Sequence, residues 1–129
     1  ETEVCAPCGS TEAMMAALLG LVDPGDEVVI FEPFYENYGP DAILSGARPV
    51  FVRLLAPDFS IDWDALERAF RRRPRAIVLN TPNNPTGKVF TGHALLRISQ
   101  LCVDVFSLDV RQISDPSCAD RTTRNDPAF

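Results

Sequence analysis

Lysine and histidine are nearly absent from this chain: Lys88 and His93 are the only examples among 129 residues. With one histidine, and no second cysteine pair to join Cys5 and Cys8, no metal site is expected. Positive charge is also scarce. Twelve lysines and arginines stand against 18 aspartates and glutamates, and a formal net charge of −6 argues against a nucleic-acid partner. The one basic cluster, Arg71-Arg72-Arg73 with Arg75, falls where a helix should end, and interaction with the helix dipole accounts for it better than a phosphate site. No apolar run approaches a membrane span, and no basic-then-apolar leader opens the chain. A cytoplasmic location without membrane partners is the resulting expectation.

Disulfides are not needed either. A composition with 46% hydrophobic residues supports a packed core, so Cys5, Cys8, Cys102 and Cys118 read as free thiols. Cys5-Ala6-Pro7-Cys8 has the C-x-x-C spacing of a redox motif, in which a helix N-terminus lowers a thiol pKa. However, Gly9, Ser10 and Thr11 intervene before the expected helix, and nothing thioredoxin-like follows. An extended 3–8 segment would also point the two thiols to opposite faces. A thiol redox module using Cys5 and Cys8 is a minor alternative.

Hydrophobic spacing alternates between strand and helix along the chain. Residues 2–8 are expected as a short strand and 11–22 as a helix, with Met14, Ala17, Leu18 and Leu21 at i, i+3, i+4 and i+7. Further apolar residues around this stripe imply packing on more than one face. Asp23-Pro24-Gly25-Asp26 is a turn, and Val28-Val29-Ile30-Phe31 a strand covered on both faces. A helix is expected between Tyr35 and Leu44, ending near Gly46, then a strand over 49–54. Asp62 is placed to cap a helix over 63–72, with Ile61 and Leu66 as a hydrophobic staple. Ala76 to Leu79 is the next strand, and Thr91 caps a helix reaching about Cys102. Val103 to Val110 reads as one more strand, and 111–129 as a polar tail, disordered or misplaced. Such alternation implies crossover connections and an α/β domain with a largely parallel sheet.

The run Asn80-Thr81-Pro82-Asn83-Asn84-Pro85-Thr86-Gly87-Lys88 directly follows the apolar segment ending at Leu79. It therefore reads as a loop at the C-terminal end of a buried strand, where open α/β sheets bind ligands. Pro82, Pro85 and Gly87 shape the loop, while Asn80 and Asn84 offer amides that both donate and accept. Gly9-Ser10-Thr11-Glu12 joins a strand to a helix start, where free N–H groups and the helix dipole favour a phosphate. By the residues alone the signal is limited, because serine and threonine at a helix start are usually just caps.

Together with Cys8 to Ala13 and Phe31 to Tyr38, the loop resembles the fold-type I pyridoxal-phosphate (PLP) enzymes. Specifically, it resembles the class I/II aminotransferases of the kynurenine, glutamine and methionine transaminase branch. The resemblance runs to Cys102. It implies a partial PLP-transferase large domain over 1–102, incomplete at its C-terminal side, and a divergent tail over 103–129. It implies that Gly9, Ser10 and Thr11 hold the cofactor phosphate, and that Tyr35 stacks on the pyridine ring. It implies that Asn84 bonds the cofactor's phenolic oxygen and helps place the substrate carboxylate, with Asn80 also near the substrate. PLP is the implied cofactor, an amino acid and a 2-oxo acid the implied substrates, and a homodimer the implied state of the parent.

The same resemblance marks what these residues lack. No catalytic residue is expected here, because the Schiff-base lysine and the carboxylate-clamping arginine lie downstream of the matched region, and Lys88 sits in the loop. The ring-nitrogen carboxylate has only poor candidates, Asp109 and Asp115, the latter followed by a strand-breaking proline. A frameshift or exon error near residue 103 would account for the abrupt change. The leading reading is a catalytically incomplete aminotransferase fragment. A non-catalytic degenerate paralogue or interaction module is the alternative.

Overall fold

A computed structural model describes residues 6–113, with side chains as far as Val105. The chain divides into two units, Glu1–Phe90 and Thr91–Phe129. In the first, the elements run α1 (Gly9–Leu21), β1 (Glu27–Glu32), α2 (Tyr38–Leu44), β2 (Arg48–Leu55), β3 (Ser60–Ile61), α3 (Trp63–Phe70) and β4 (Ala76–Val78). The second holds α4 (Gly92–Ile113).

The sheet order is β3-β2-β1-β4. β1 runs parallel to β2, with Glu27 opposite Arg48 and Glu32 opposite Arg53, and parallel to β4, with Ile30 opposite Val78. Only the short β3 is antiparallel, against Leu54 and Leu55. β1 is the centre of the core, as its unbroken apolar run requires. Val28, Val29 and Ile30 are fully buried and Phe31 nearly so, each contributing about 1.5–3 kcal/mol of burial. Val28 and Ile30 face Leu18, Val22 and Ala42, with Met14 and Phe34 packed against that cluster.

Local chemistry explains the element ends. At the turn between α1 and β1, Asp26 N–H bonds Asp23 O at 3.0 Å and Asp23 N–H bonds Asp26 Oδ2 at 2.9 Å. Gly46 has φ +87°, and a Cβ there would lie 3.3 Å from Pro24 Cα, so glycine is required where the two turns meet. Asp62 caps α3, accepting from Ala65 N–H at 2.9 Å, and both staple residues, Ile61 and Leu66, are buried. The basic cluster lies by the start of β1, where Arg72 pairs with Glu27 and Arg75 N–H bonds Glu27 O.

Three expectations are corrected. Residues 6–8 are irregular rather than strand, residues 1–5 lie outside the described set, and α1 begins at Gly9. α1 buries one stripe: Leu18 is its only buried residue, while Ala17 and Leu21 are exposed. The strand expected over 103–110 is helix, continuous with α4 to Ile113. Ile98, Leu101, Val105 and Leu108 recur at spacings of three and four, and no breaker interrupts the helix that Thr91 starts. Gln100 also donates to Asp104 Oδ1 at 2.9 Å, an i,i+4 pair. β propensity at Val103, Val105 and Val110 is overridden by this periodicity. The rest of the tail, with Asp115, lies outside the described residues.

Candidate functional site

Because β1 and β4 are parallel neighbours, the loops that follow them leave from the same edge of the sheet. The start of α1 joins the first of these loops. Ser10, Thr11, Met14, Tyr35, Asn37, Tyr38 and Asp41 line one pocket of about 70 Å³.

Cys8 is the N-cap of α1 and makes no side-chain cap bond; the Gly9 N–H bonds Pro7 O at 2.9 Å, which leaves the Ser10 and Thr11 N–H groups at the helix start without a side-chain cap. Glu12 accepts from the Cys8 N–H instead, which anchors the helix start without covering it. Gly9 takes φ +85°, and Ser10 and Thr11 are exposed at the lip. Thr11 Oγ1 accepts from Asn37 Nδ2 at 2.8 Å. The Tyr35 ring is half-buried and meets Tyr38 edge-on, with centroids 5.8 Å apart at 71°. The arrangement presents hydroxyl and backbone donors beside an aromatic face.

At the floor of the pocket, Asp41 is 6% exposed and its Oδ2 has no hydrogen-bond partner. A buried carboxylate oxygen requires a donor. The pocket has room for a water to supply one.

The loop after β4 is built around Asn83, which is 5% exposed. Its Oδ1 accepts from Thr86 Oγ1 at 2.8 Å and Thr86 N–H at 3.3 Å, and its Nδ2 reaches Pro33 O at 3.4 Å. Asn83 N–H bonds Lys88 O at 2.8 Å and Gly87 N–H bonds Asn83 O at 2.7 Å, closing the loop on itself. Asn84 N–H donates to Asn80 Oδ1 at 2.7 Å, so that oxygen of Asn80 is committed to the loop. The Asn84 side chain is exposed. Lys88 Nζ donates to Asp58 O at 2.8 Å, a loop-bracing contact.

Of the expected site residues, Ser10, Thr11 and Tyr35 share the pocket, and Gly9 adjoins it in sequence. Asn80 and Asn84 sit together on the neighbouring loop and do not line that pocket. Sequence reasoning missed Asn37, Asp41 and Asn83. Asn83 stood inside the singled-out run, but nothing in the spacing distinguishes a buried asparagine from an exposed one beside it. Cys8 is an exposed free thiol, while burial raises the pKa of Cys102, partly offset by a backbone hydrogen bond. Cys5 lies outside the described residues.

The family model for aminotransferases of class I and II matches residues 1–107. The chain belongs to this family. It is 48% identical over 106 residues to the probable N-succinyldiaminopimelate aminotransferase DapC of Mycobacterium tuberculosis, covering 80% of this chain and 26% of that protein. It is 40% identical over 111 residues to mouse kynurenine–oxoglutarate transaminase 3, covering 78% and 24%. The solved M. tuberculosis N-succinyldiaminopimelate aminotransferase superposes with a TM-score of 0.71 at 45% identity, over 75% of this chain and 26% of that one. The methionine aminotransferase YbdL of Escherichia coli gives 0.69 at 38% identity, over 72% and 25%. The chain thus spans about a quarter of the length of the relatives it matches. Class I and II aminotransferases are generally PLP-dependent. Among the described residues, no helix is long and apolar enough to cross a membrane.

Proposed function

We propose that this chain is part of the cofactor-binding domain of a PLP-dependent aminotransferase, one that moves an amino group between an amino acid and a 2-oxo acid. The observation that carries the reading is the shared pocket. Ser10 and Thr11, at an uncapped helix start, meet Tyr35 at the sheet edge from which the Asn84 loop also emerges.

The donor set fits a phosphorylated pyridine. The Ser10 and Thr11 hydroxyls and the open N–H groups of α1 hold the phosphate, helped by the positive end of the helix dipole. Tyr35 lies against the ring, which limits its tilt and excludes water from one face. The exposed Asn84 amide donates to the ring's phenolic oxygen, and Asn80 uses its remaining N–H donors near the substrate carboxylate. When bound, PLP supplies a carbonyl that takes up the amino group and a ring that stabilises negative charge at the substrate α-carbon. Proton transfer at that carbon needs a lysine, and Lys88, the chain's only one, is tied to Asp58 O in the loop. The 129 residues alone therefore bind the cofactor weakly and do not turn over.

Kynurenine, glutamine, methionine or aromatic amino acids are the proposed amino donors, and a cytoplasmic homodimer the proposed parent. The chain is assayed with PLP, each amino acid and 2-oxoglutarate. No transamination above background is expected. Turnover at ordinary aminotransferase rates would overturn the fragment reading.

A further inference from the structure

We infer that Asn37 is a positioning residue which aims the Thr11 hydroxyl hydrogen at the phosphate; this rests on the reading of Ser10 and Thr11 as phosphate donors. Asn37 occupies the N-cap of α2, where an asparagine ordinarily accepts from its own helix. Here it makes no side-chain cap bond, and its backbone, at φ −80° and ψ −25°, is helical rather than extended. Its amide instead donates to Thr11 Oγ1 at 2.8 Å, across 26 residues of sequence.

The direction of that bond matters. A threonine hydroxyl has one hydrogen and two lone pairs. With Asn37 donating into one lone pair, the hydrogen points elsewhere, and no other partner takes it among the described residues. It remains available to an anion at the open start of α1. A hydrogen bond to an ionised acceptor is roughly twice as strong as a neutral one, so pre-aiming this donor strengthens phosphate binding. The same contact ties α1 to the loop carrying Tyr35, two residues before Asn37.

The test uses the 129-residue chain and two probes that cannot react with amines, 4′-deoxypyridoxine 5′-phosphate and unphosphorylated 4′-deoxypyridoxine. Affinities are measured for wild type, Asn37→Ala, Thr11→Val and the double variant, with Asn37→Asp as a reversal of polarity. Asn37→Ala should weaken the phosphorylated probe by about fivefold, within the usual range of coupling between contacting residues. It should leave the unphosphorylated probe unchanged and have no further effect once Thr11 is valine. Asn37→Asp should lose more than Asn37→Ala, because a carboxylate takes the Thr11 hydrogen for itself. Equal weakening of both probes, or an undiminished loss in the Thr11→Val background, overturns the positioning role while leaving the phosphate site standing. A wild-type chain that does not prefer the phosphorylated probe overturns the phosphate reading itself, and this proposal with it. Unfolding midpoints check that each variant folds. Should Asn37→Ala unfold, Asn37→Ser, a good cap too short to reach Thr11, carries the same comparison.

Discussion

Asn83 and Asn84 are adjacent in sequence, yet the structure assigns them opposite work, and alanine substitutions should separate the two. Asn83 is 5% exposed and accepts from both the hydroxyl and the N–H of Thr86, with a longer contact to Pro33 O. Removing its side chain breaks the two Thr86 bonds and leaves a part-buried donor without its partner. At about 1 kcal/mol for each of the two bonds plus about 1 kcal/mol for the stranded donor, Asn83→Ala should destabilise by about 3 kcal/mol. The Asn84 side chain is exposed, and the bond to Asn80 comes from its backbone, which alanine keeps. Asn84→Ala should therefore stay within about 0.5 kcal/mol of wild type. Urea unfolding, followed through the fluorescence of the single tryptophan, Trp63, reads this directly. With a slope of about 1–3 kcal/mol per molar, Asn83→Ala should lower the midpoint by roughly 1 M or more and Asn84→Ala should hardly move it. Binding of 4′-deoxypyridoxine 5′-phosphate should show the converse for Asn84→Ala, a loss of about tenfold in a stably folded chain. Equal destabilisation by the two substitutions would refute this division of labour.

Four further outcomes follow from single positions. Gly46→Ala should destabilise by about 1–2 kcal/mol, because φ is +87° and the new Cβ meets Pro24 backbone at 3.3 Å. Gly20→Ala, with nothing within 4 Å of its Cβ, should instead stabilise by about 0.5 kcal/mol in the same unfolding assay. Asp62→Ala should cost about 1 kcal/mol by removing the cap bond to Ala65 N–H, and Asp62→Ser should restore most of it. Iodoacetamide at pH 8 should modify Cys8 before Cys102 in mass-spectrometric time courses. Cys8 is exposed, whereas burial holds the Cys102 thiol protonated to higher pH, and urea should erase the difference.

Strong local signals made much of the fold legible before the structure. The apolar run at β1, the Asp23–Asp26 turn and the Asp62 cap each combine a propensity with a tertiary role that agrees with it. The error at 103–110 arose where the two disagreed. Valines there favour strand, but beyond Gly92 at its first position the helix meets no proline or glycine and keeps its three-and-four spacing. α1 misled for another reason: an alanine- and leucine-rich helix promises burial on several faces, and among the described residues only the Leu18 stripe finds a partner. For the candidate site, the helix start and the asparagine loop were recognisable because turn chemistry is local. The links between them, Asn37 to Thr11 and Asn83 to Pro33, span 26 and 50 residues. No periodicity or spacing rule reports such contacts.

The most direct test of the account is an amide NMR titration of the chain with 4′-deoxypyridoxine 5′-phosphate. The account predicts shifts concentrated at Ser10, Thr11, Tyr35 and Asn84, with Gly25, Gly46 and Arg75 at the other end of the sheet unmoved. Shifts concentrated at that other end, or none at saturating probe, would contradict it.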